Sequence, residues 1–358
     1  MSNVIHLNAR RPSFGPLRGL AALIEGFASH RRFGDDVFWL KENAELLNIL
    51  ECTGQAPGEE ALAPHLTFYR ELPERLRFFP QYYRFLLSLC LDLEDLGMTG
   101  EMGVELAEWV AGQGLPEAEL SDLQRAEARR LLARRGIEFT SRDAGLTDRL
   151  HDFIARSETF ALPNKKAAYE LTHIVFYLSE YGRRAPDLPA EALVSLEFAG
   201  LLAYLEQNAD LLAEICVAMR YAGATPSPIW EDWLAGALGG FTLFSGAQAE
   251  MRDDYHEYLV CAWAGLAAGR GAPDQAVAQG PVSFHRATDW GGPLREISEC
   301  IYRMGAARSG DWGSMRPQIA AQLSETGHDI LSAAEASSPR FDAFFAGFAR
   351  TGLLRVAV

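Results

Sequence analysis

Four segments of the chain share one pattern of apolar and polar positions. YYRFLLSLCLDLEDLG, AYELTHIVFYLSEYG, ADLLAEICVAMRYAG and YHEYLVCAWAGLAAG each run for about 15 residues, are apolar around most of a helical circumference and close on glycine. A helix that is apolar all round is buried on all sides, whereas a surface helix carries a single apolar stripe. The pattern therefore predicts four buried helices. Each stops at a glycine because the residue after a helix often adopts a left-handed conformation that glycine takes without steric cost.

The stops extend along the chain. Gly54, Gly97, Gly136, Gly182, Gly223, Gly269, Gly310 and Gly352 lie 39 to 46 residues apart. More highly charged segments such as AELSDLQRAEARRLLARR and PAEALVSLEFAGLLAYLEQ intervene and read as outer helices. Pairs of one buried and one amphipathic helix, repeating about every 42 residues, predict an all-α fold of seven or eight helical hairpins, a closed solenoid or α/α toroid. Ring closure would cover both end faces without capping repeats. Residues 1–14 read as a flexible arm and 15–358 as one helical domain, with strand signals confined to short stretches such as Gly239 to Phe244.

Composition narrows the setting. With 48% hydrophobic and 11% aromatic residues, a chain of 358 residues can bury a large core. Cys52, Cys90, Cys216, Cys261 and Cys300 are odd in number, widely spaced and set in apolar stretches, which points to reduced thiols and a cytoplasmic setting. No signal-peptide pattern follows the first residues, and the longest apolar runs fall far short of the roughly 20 residues that cross a bilayer. A net charge of −15 disfavours nucleic acid. The basic run of Arg125, Arg129, Arg130, Arg134 and Arg135, mixed with Glu119, Asp122 and Glu127, reads as a solvated helix face.

Motifs exclude more than they assign. No phosphate loop, dinucleotide turn, zincin helix or hydrolase elbow occurs, and no cofactor is assigned. Asp253-Asp254-Tyr255-His256-Glu257 has the DDxxE form of a magnesium–diphosphate site, with Asp92-Leu93-Glu94-Asp95 as a second acidic patch. Their chain order is wrong for a terpene synthase, and acidic residues at helix ends explain them.

Between about residues 140 and 270 the chain resembles proteins of the α/α-toroid type. The stretch Leu171-Thr172-His173-Ile174-Val175-Phe176-Tyr177-Leu178-Ser179-Glu180-Tyr181-Gly182 is similar to a motif in uncharacterised bacterial helical-repeat proteins. The resemblance implies the fold and no activity. The diagnostic sets of toroid glycosidases, epimerases, prenyltransferases and lanthipeptide cyclases are missing, the adjacent Cys-His pair of the cyclases among them.

Polar groups in buried helices are costly unless paired or functional. His173 lies midway along one such helix with Tyr169 and Tyr177 a turn to either side; Asp210 and Glu214 open the next; Tyr255 and His256 open the one after. These positions are equivalent in successive elements, so His173, Glu214 and His256 are candidate catalytic or metal-binding groups. Tyr169, Tyr177, Asp210 and Tyr255 are candidate ligand contacts. The alternative is a core histidine bonded to a backbone carbonyl or a tyrosine. Cys216 and Cys261 read as inert buried thiols. The long loop from Gly269 to Pro293 carries His285, Arg286, Asp289 and Trp290 and reads as a lid over a cavity or a structural plug. Three functions follow: a cavity or groove that binds a small molecule or peptide, an enzyme using the His–carboxylate set, or an interaction scaffold.

Overall fold

The computed structural model describes residues 19–34, 36–138, 144–250, 252–270, 277–287 and 291–352. The expected arm, 1–14, lies outside them, as do Asp289 and Trp290. The first half contains α1 (Leu20–Glu25), α2 (Val37–Cys52), α3 (Glu59–Leu62), α4 (Leu66–Phe78), α5 (Tyr83–Asp95), α6 (Met102–Gly112), α7 (Asp122–Ala133), α8 (Leu146–Ile154), α9 (Ser157–Phe160) and α10 (Lys165–Leu178). There follow α11 (Ala190–Glu206), α12 (Ala209–Tyr221), α13 (Pro228–Gly239), α14 (Tyr255–Ala267), α15 (Leu294–Met304), α16 (Trp312–Ala320), α17 (Glu325–Ser337) and α18 (Phe341–Phe348). With 69% of the chain helical and one two-stranded sheet among the described residues, the all-α class stands.

The longer helices pack in two sets. α2 packs on α5, α5 on α7, α7 on α10, α10 on α12, α12 on α14, and α14 on α2 again. The second set covers the seams: α6 touches α5 and α7, α8 touches α7 and α10, α11 touches α10 and α12, and α13 touches α12 and α14. The segment after α14 departs from this order. α15, α17 and α18 lie against α11, and α17 also meets α13.

Most of the expected helix stops have a physical signature. Gly54, Gly97, Gly136, Gly223 and Gly269 all have φ between 69° and 109°. In each case the next residue's N–H bonds back to the last turn, as in Gln55 to Leu50 at 2.9 Å and Ala224 to Met219 at 2.8 Å. This closure satisfies carbonyls that the helix leaves open. α10 differs. Glu180 and Tyr181 take the left-handed conformation at φ 51° and 52°, and Gly182 comes four residues after Leu178, later than expected. The Tyr181 ring folds back onto Phe176, 5.6 Å away, which fixes the turn before the glycine is reached. Gly182 then packs against Tyr221, whose ring would lie 2.5 Å from an added Cβ. α18 closes on Arg350, at φ 56°, ahead of Gly352.

α7 overturns the reading of the basic run as solvated. It belongs to the series that includes α10, α12 and α14. Arg130 is buried, and Arg134 donates at 2.7 Å both to the fully buried Asp92 and to Asp95. Arg135 donates to Glu94 and Asp95. Mixed charges here do not mark water; Arg134 and Arg135 answer carboxylates of the facing helix α5, and such pairing is what lets charge be buried.

The loop after α14 is anchored by strand pairing. Strand β1 (Phe241–Ser245) runs antiparallel to β2 (Val282–Arg286), with Phe241 opposite Arg286. Asp253 accepts from Phe284 N–H at 2.8 Å and from both terminal nitrogens of Arg31, which also donates to Glu42. The Asp253, Arg31 and Glu42 side chains are all but sealed from water. Glu257 holds Arg286 at 2.5 Å. The carboxylates of the DDxxE string are thus spent on fastening the strand pair to α2 and α14.

Candidate functional site

A cavity of about 280 Å³ is lined from α2, α5, α7, α10, α12 and α14. Its open end carries Lys41, Glu45, His173 and His256; its closed end carries Asn48, Ser88 and Arg130, each at most 9% exposed. Phe176, Tyr177, Tyr181 and Trp263 form an aromatic wall. Local sequence sets this up. Asn164 and Asn208 cap α10 and α12 through their side chains, bonding Ala167 N–H and Leu211 N–H at 3.2 and 3.1 Å. Those caps begin the two helices in a register that turns His173 and Glu214 to the same side.

His173 is half-buried, and its Nδ1 lies 2.8 Å from the Tyr169 carbonyl oxygen, to which it donates. That bond is the one a core histidine would make, yet the ring lines the cavity, and among the described residues no hydrogen bond engages Nε2. Glu214 accepts from Thr172 Oγ1 at 2.6 Å and lies 3.7 Å from His173 Nδ1. Burial pushes the Glu214 carboxyl above the usual carboxylate range, and the neighbouring His173 offsets only part of this.

His256 sits between two carboxylates, Nδ1 at 3.2 Å from Glu45 and Nε2 at 3.2 Å from Asp210. Burial alone would lower its pKa, but Asp210 and Glu45 prevail and push it up to about 10. Asp210 is held below its ordinary value: burial works the other way, and His256 together with the Tyr169 hydroxyl, which donates at 2.6 Å, overcomes it. His256 is therefore an imidazolium at neutral pH, occupying the centre of a carboxylate cluster.

Asp210, Glu214 and His256 can offer ligand atoms that all lie within 4.8 Å of one another. Tyr169 and Thr172 orient the two carboxylates, and Glu45 orients the imidazole, the kind of outer support that metal ligands have. A divalent cation there would have to displace the proton that His256 holds.

The structure brings together His173, Glu214, His256, Asp210, Tyr169 and Tyr177. It does not bring the remaining described candidates to the cavity. Tyr255 packs edge-on against Phe27, 5.8 Å away, and beneath Arg31. His285 lies on β2 with Nε2 3.1 Å from Ser283 Oγ and its ring against Phe244. Among the described residues 277–287, none lines the cavity. The sequence reading missed Glu45, Asn48 and Arg130. Part of a signal for the first two was available: Lys41, Glu45 and Asn48 recur at helical spacing along α2, but among the further polar residues Glu42, Asn43 and Glu51.

No curated protein matches the chain, and no solved structure matches it. A family model described as "Domain of unknown function (DUF6902)" matches residues 1–351, and with nearly its whole length covered the chain belongs to that family.

Proposed function

We propose that the chain closes into an α/α toroid with six inner helices whose central cavity binds a small polar molecule. The return of α14 onto α2 supports the ring. Six inner helices, against the seven or eight hairpins of the glycine spacing, accord with the segment after α14 lying outside on α11. A continuous set of buried apolar residues from Leu23 to Ala349 supports a single domain. The unpaired cysteines, four of them buried, favour a reducing, cytoplasmic setting. Among the described residues no helix is long and apolar enough to cross a membrane.

The observation that carries the binding reading is one cavity reached by polar side chains from six helices. Its 280 Å³ sits at the low end of ligand pockets, which suits a small molecule or the tip of a peptide and excludes a folded partner from the interior. Ligand-observed NMR with a library of small polar fragments tests this. Binders should compete for one site and lose binding in Ala44→Phe and Val260→Phe, which fill the cavity from the neighbouring helices α2 and α14. Binders indifferent to both variants, or no binders, would defeat the reading.

A second reading is an enzyme working at the open end, favoured by the convergence of Asp210, Glu214 and His256 and by the raised Glu214 carboxyl. Calorimetric titration of chelator-treated protein with zinc and with manganese tests its metal form. Heat that disappears in Glu214→Gln supports it; absence of heat leaves only metal-free acid–base chemistry by Glu214 and His173.

A further inference from the structure

Three nitrogens at the closed end of the cavity have nothing to bond. Arg130 Nε and Nη1 and Asn48 Nδ2 are sealed from solvent and lack a hydrogen-bond partner, although both residues line the cavity. Arg130 is 4% exposed. Every other lysine and arginine of the lining has its carboxylate: Lys41 has Glu45, and Arg84 has Glu119 and Glu127. Among the described residues Arg130 has none within ion-pair distance. Its guanidinium lies instead over aromatic faces, 4.5 Å from the Tyr181 ring centroid and 5.9 Å from that of Tyr177.

A stacked guanidinium gains from the ring quadrupole, but its N–H groups stay unsatisfied. Glu180 and Asp92 lie near enough to feel its charge but make no ion pair with it, and buried donors without partners are rare enough to need a cause. All the orphaned groups are donors. They call for an acceptor, and the unpaired charge calls for an anion. Glu45, Glu127 and Glu214 on the same lining would repel a dianion, which selects a single negative charge over a phosphate.

We infer that the closed end of the cavity is a carboxylate subsite: the ligand is a small organic acid whose carboxylate pairs with Arg130 and accepts from Asn48. Its body lies along Phe176, Tyr181 and Trp263, which already pack face to face or tilted at 4.9 to 6.0 Å and form one aromatic wall. This rests on the cavity-binding reading and deepens it. The guanidinium held flat by Tyr181 is preorganised for the planar, charge-assisted pairing that arginine makes with carboxylates.

The probes are benzoate, 4-hydroxybenzoate and phenylacetate, each beside its amide, which has the same shape without the charge. Thermal melting and ligand-observed NMR on the full chain should show at least one acid binding about tenfold or more tighter than its amide, the size of effect a charge-assisted pair supplies. That preference should vanish in Arg130→Met and survive in part in Arg130→Lys. Without ligand, Arg130→Met should melt about 1–2 °C higher than the natural chain, because it removes buried donors that lack partners while keeping a long side chain over Tyr181.

Amides that bind as well as acids would overturn the carboxylate subsite and leave cavity binding standing. Lower melting of Arg130→Met together with an undiminished acid preference would make Arg130 a structural support of Tyr181 and sink the inference. If neither acids nor amides bind, the inference fails, and the cavity reading fails with it only if the fragment library is also negative.

Discussion

The inner helices carry two clusters of buried charge that are built differently. At the C-terminal ends of α5 and α7, Asp92, Glu94 and Asp95 meet Arg134 and Arg135 at 2.7 to 3.1 Å, and Glu51 meets Arg183. Across the cavity's open end, Asp210 and Glu214 meet histidines, and Glu45 meets both His256 and the exposed Lys41, at 3.2 to 3.7 Å. Arginine keeps its charge at any physiological pH, so the first cluster is fixed. Histidine can release its proton, so the second can change its charge or exchange a proton for another cation. A helical protein needs the first kind to bury carboxylates at all; the second kind exceeds what folding requires.

The largest effect should come from breaking the fixed cluster. Asp92→Ala leaves Arg134 buried beside a cavity with only Asp95 in reach and should cost about 3 kcal/mol in chemical denaturation, the penalty of stranding one partner of a buried pair. A loss below about 1 kcal/mol would erase the distinction between the clusters.

The next effect depends on pH. In metal-free protein His256 titrates near 10, above the ordinary 6.5 that an unfolded chain shows. Its contribution is therefore complete below about pH 6.5 and is lost as pH rises through about 10. The stability difference between the natural chain and His256→Gln should be about 1–2 kcal/mol at pH 6, allowing for solvent screening of a ring one-third exposed, and should shrink steadily by pH 10. A difference that grows with pH would reverse the sign and place the proton elsewhere.

The smallest effect on stability should be that of His173→Gln, within about 0.5 kcal/mol, since glutamine can still donate to the Tyr169 carbonyl and the rest of the ring faces the cavity. Fragment binding should fall in the same variant. If binding is kept while melting drops sharply, His173 belongs to the core, as its bond to Tyr169 taken alone would suggest.

Legibility followed the same division. Apolar periodicity and glycine stops identified α10, α12 and α14 and made His173, Glu214 and His256 equivalent positions, because in each of these helices a few polar residues interrupt a mostly apolar surface. α7 was misread for the opposite reason: QRAEARRLLARR has the composition of a solvated face, and only the facing acids of α5, some 40 residues away in sequence, show that its arginines point inward. The Arg31–Glu42–Asp253 cluster was beyond reach for the same cause, since a pairing partner at long range leaves no local trace. Residues of β2 read as loop because a lone pair of strands needs its tertiary anchor to exist, whereas β1 overlaps Gly239 to Phe244, a stretch that carried a strand signal.

Arg31 and Asp253 are 222 residues apart. During synthesis the first helices therefore emerge long before the segment that completes them. α2 has α5 as an early neighbour, but the face that α14 covers, and the group of Arg31 and Arg32 on Glu42 whose excess positive charge Asp253 balances, must wait until the chain has grown past residue 267. Contacts across so long a separation slow folding, and the waiting intermediate shows apolar surface and unbalanced buried charge to the cell. Nascent chains halted before α14 should consequently be held by chaperones or aggregate, whereas chains released just beyond it should become protease-resistant in a single late step.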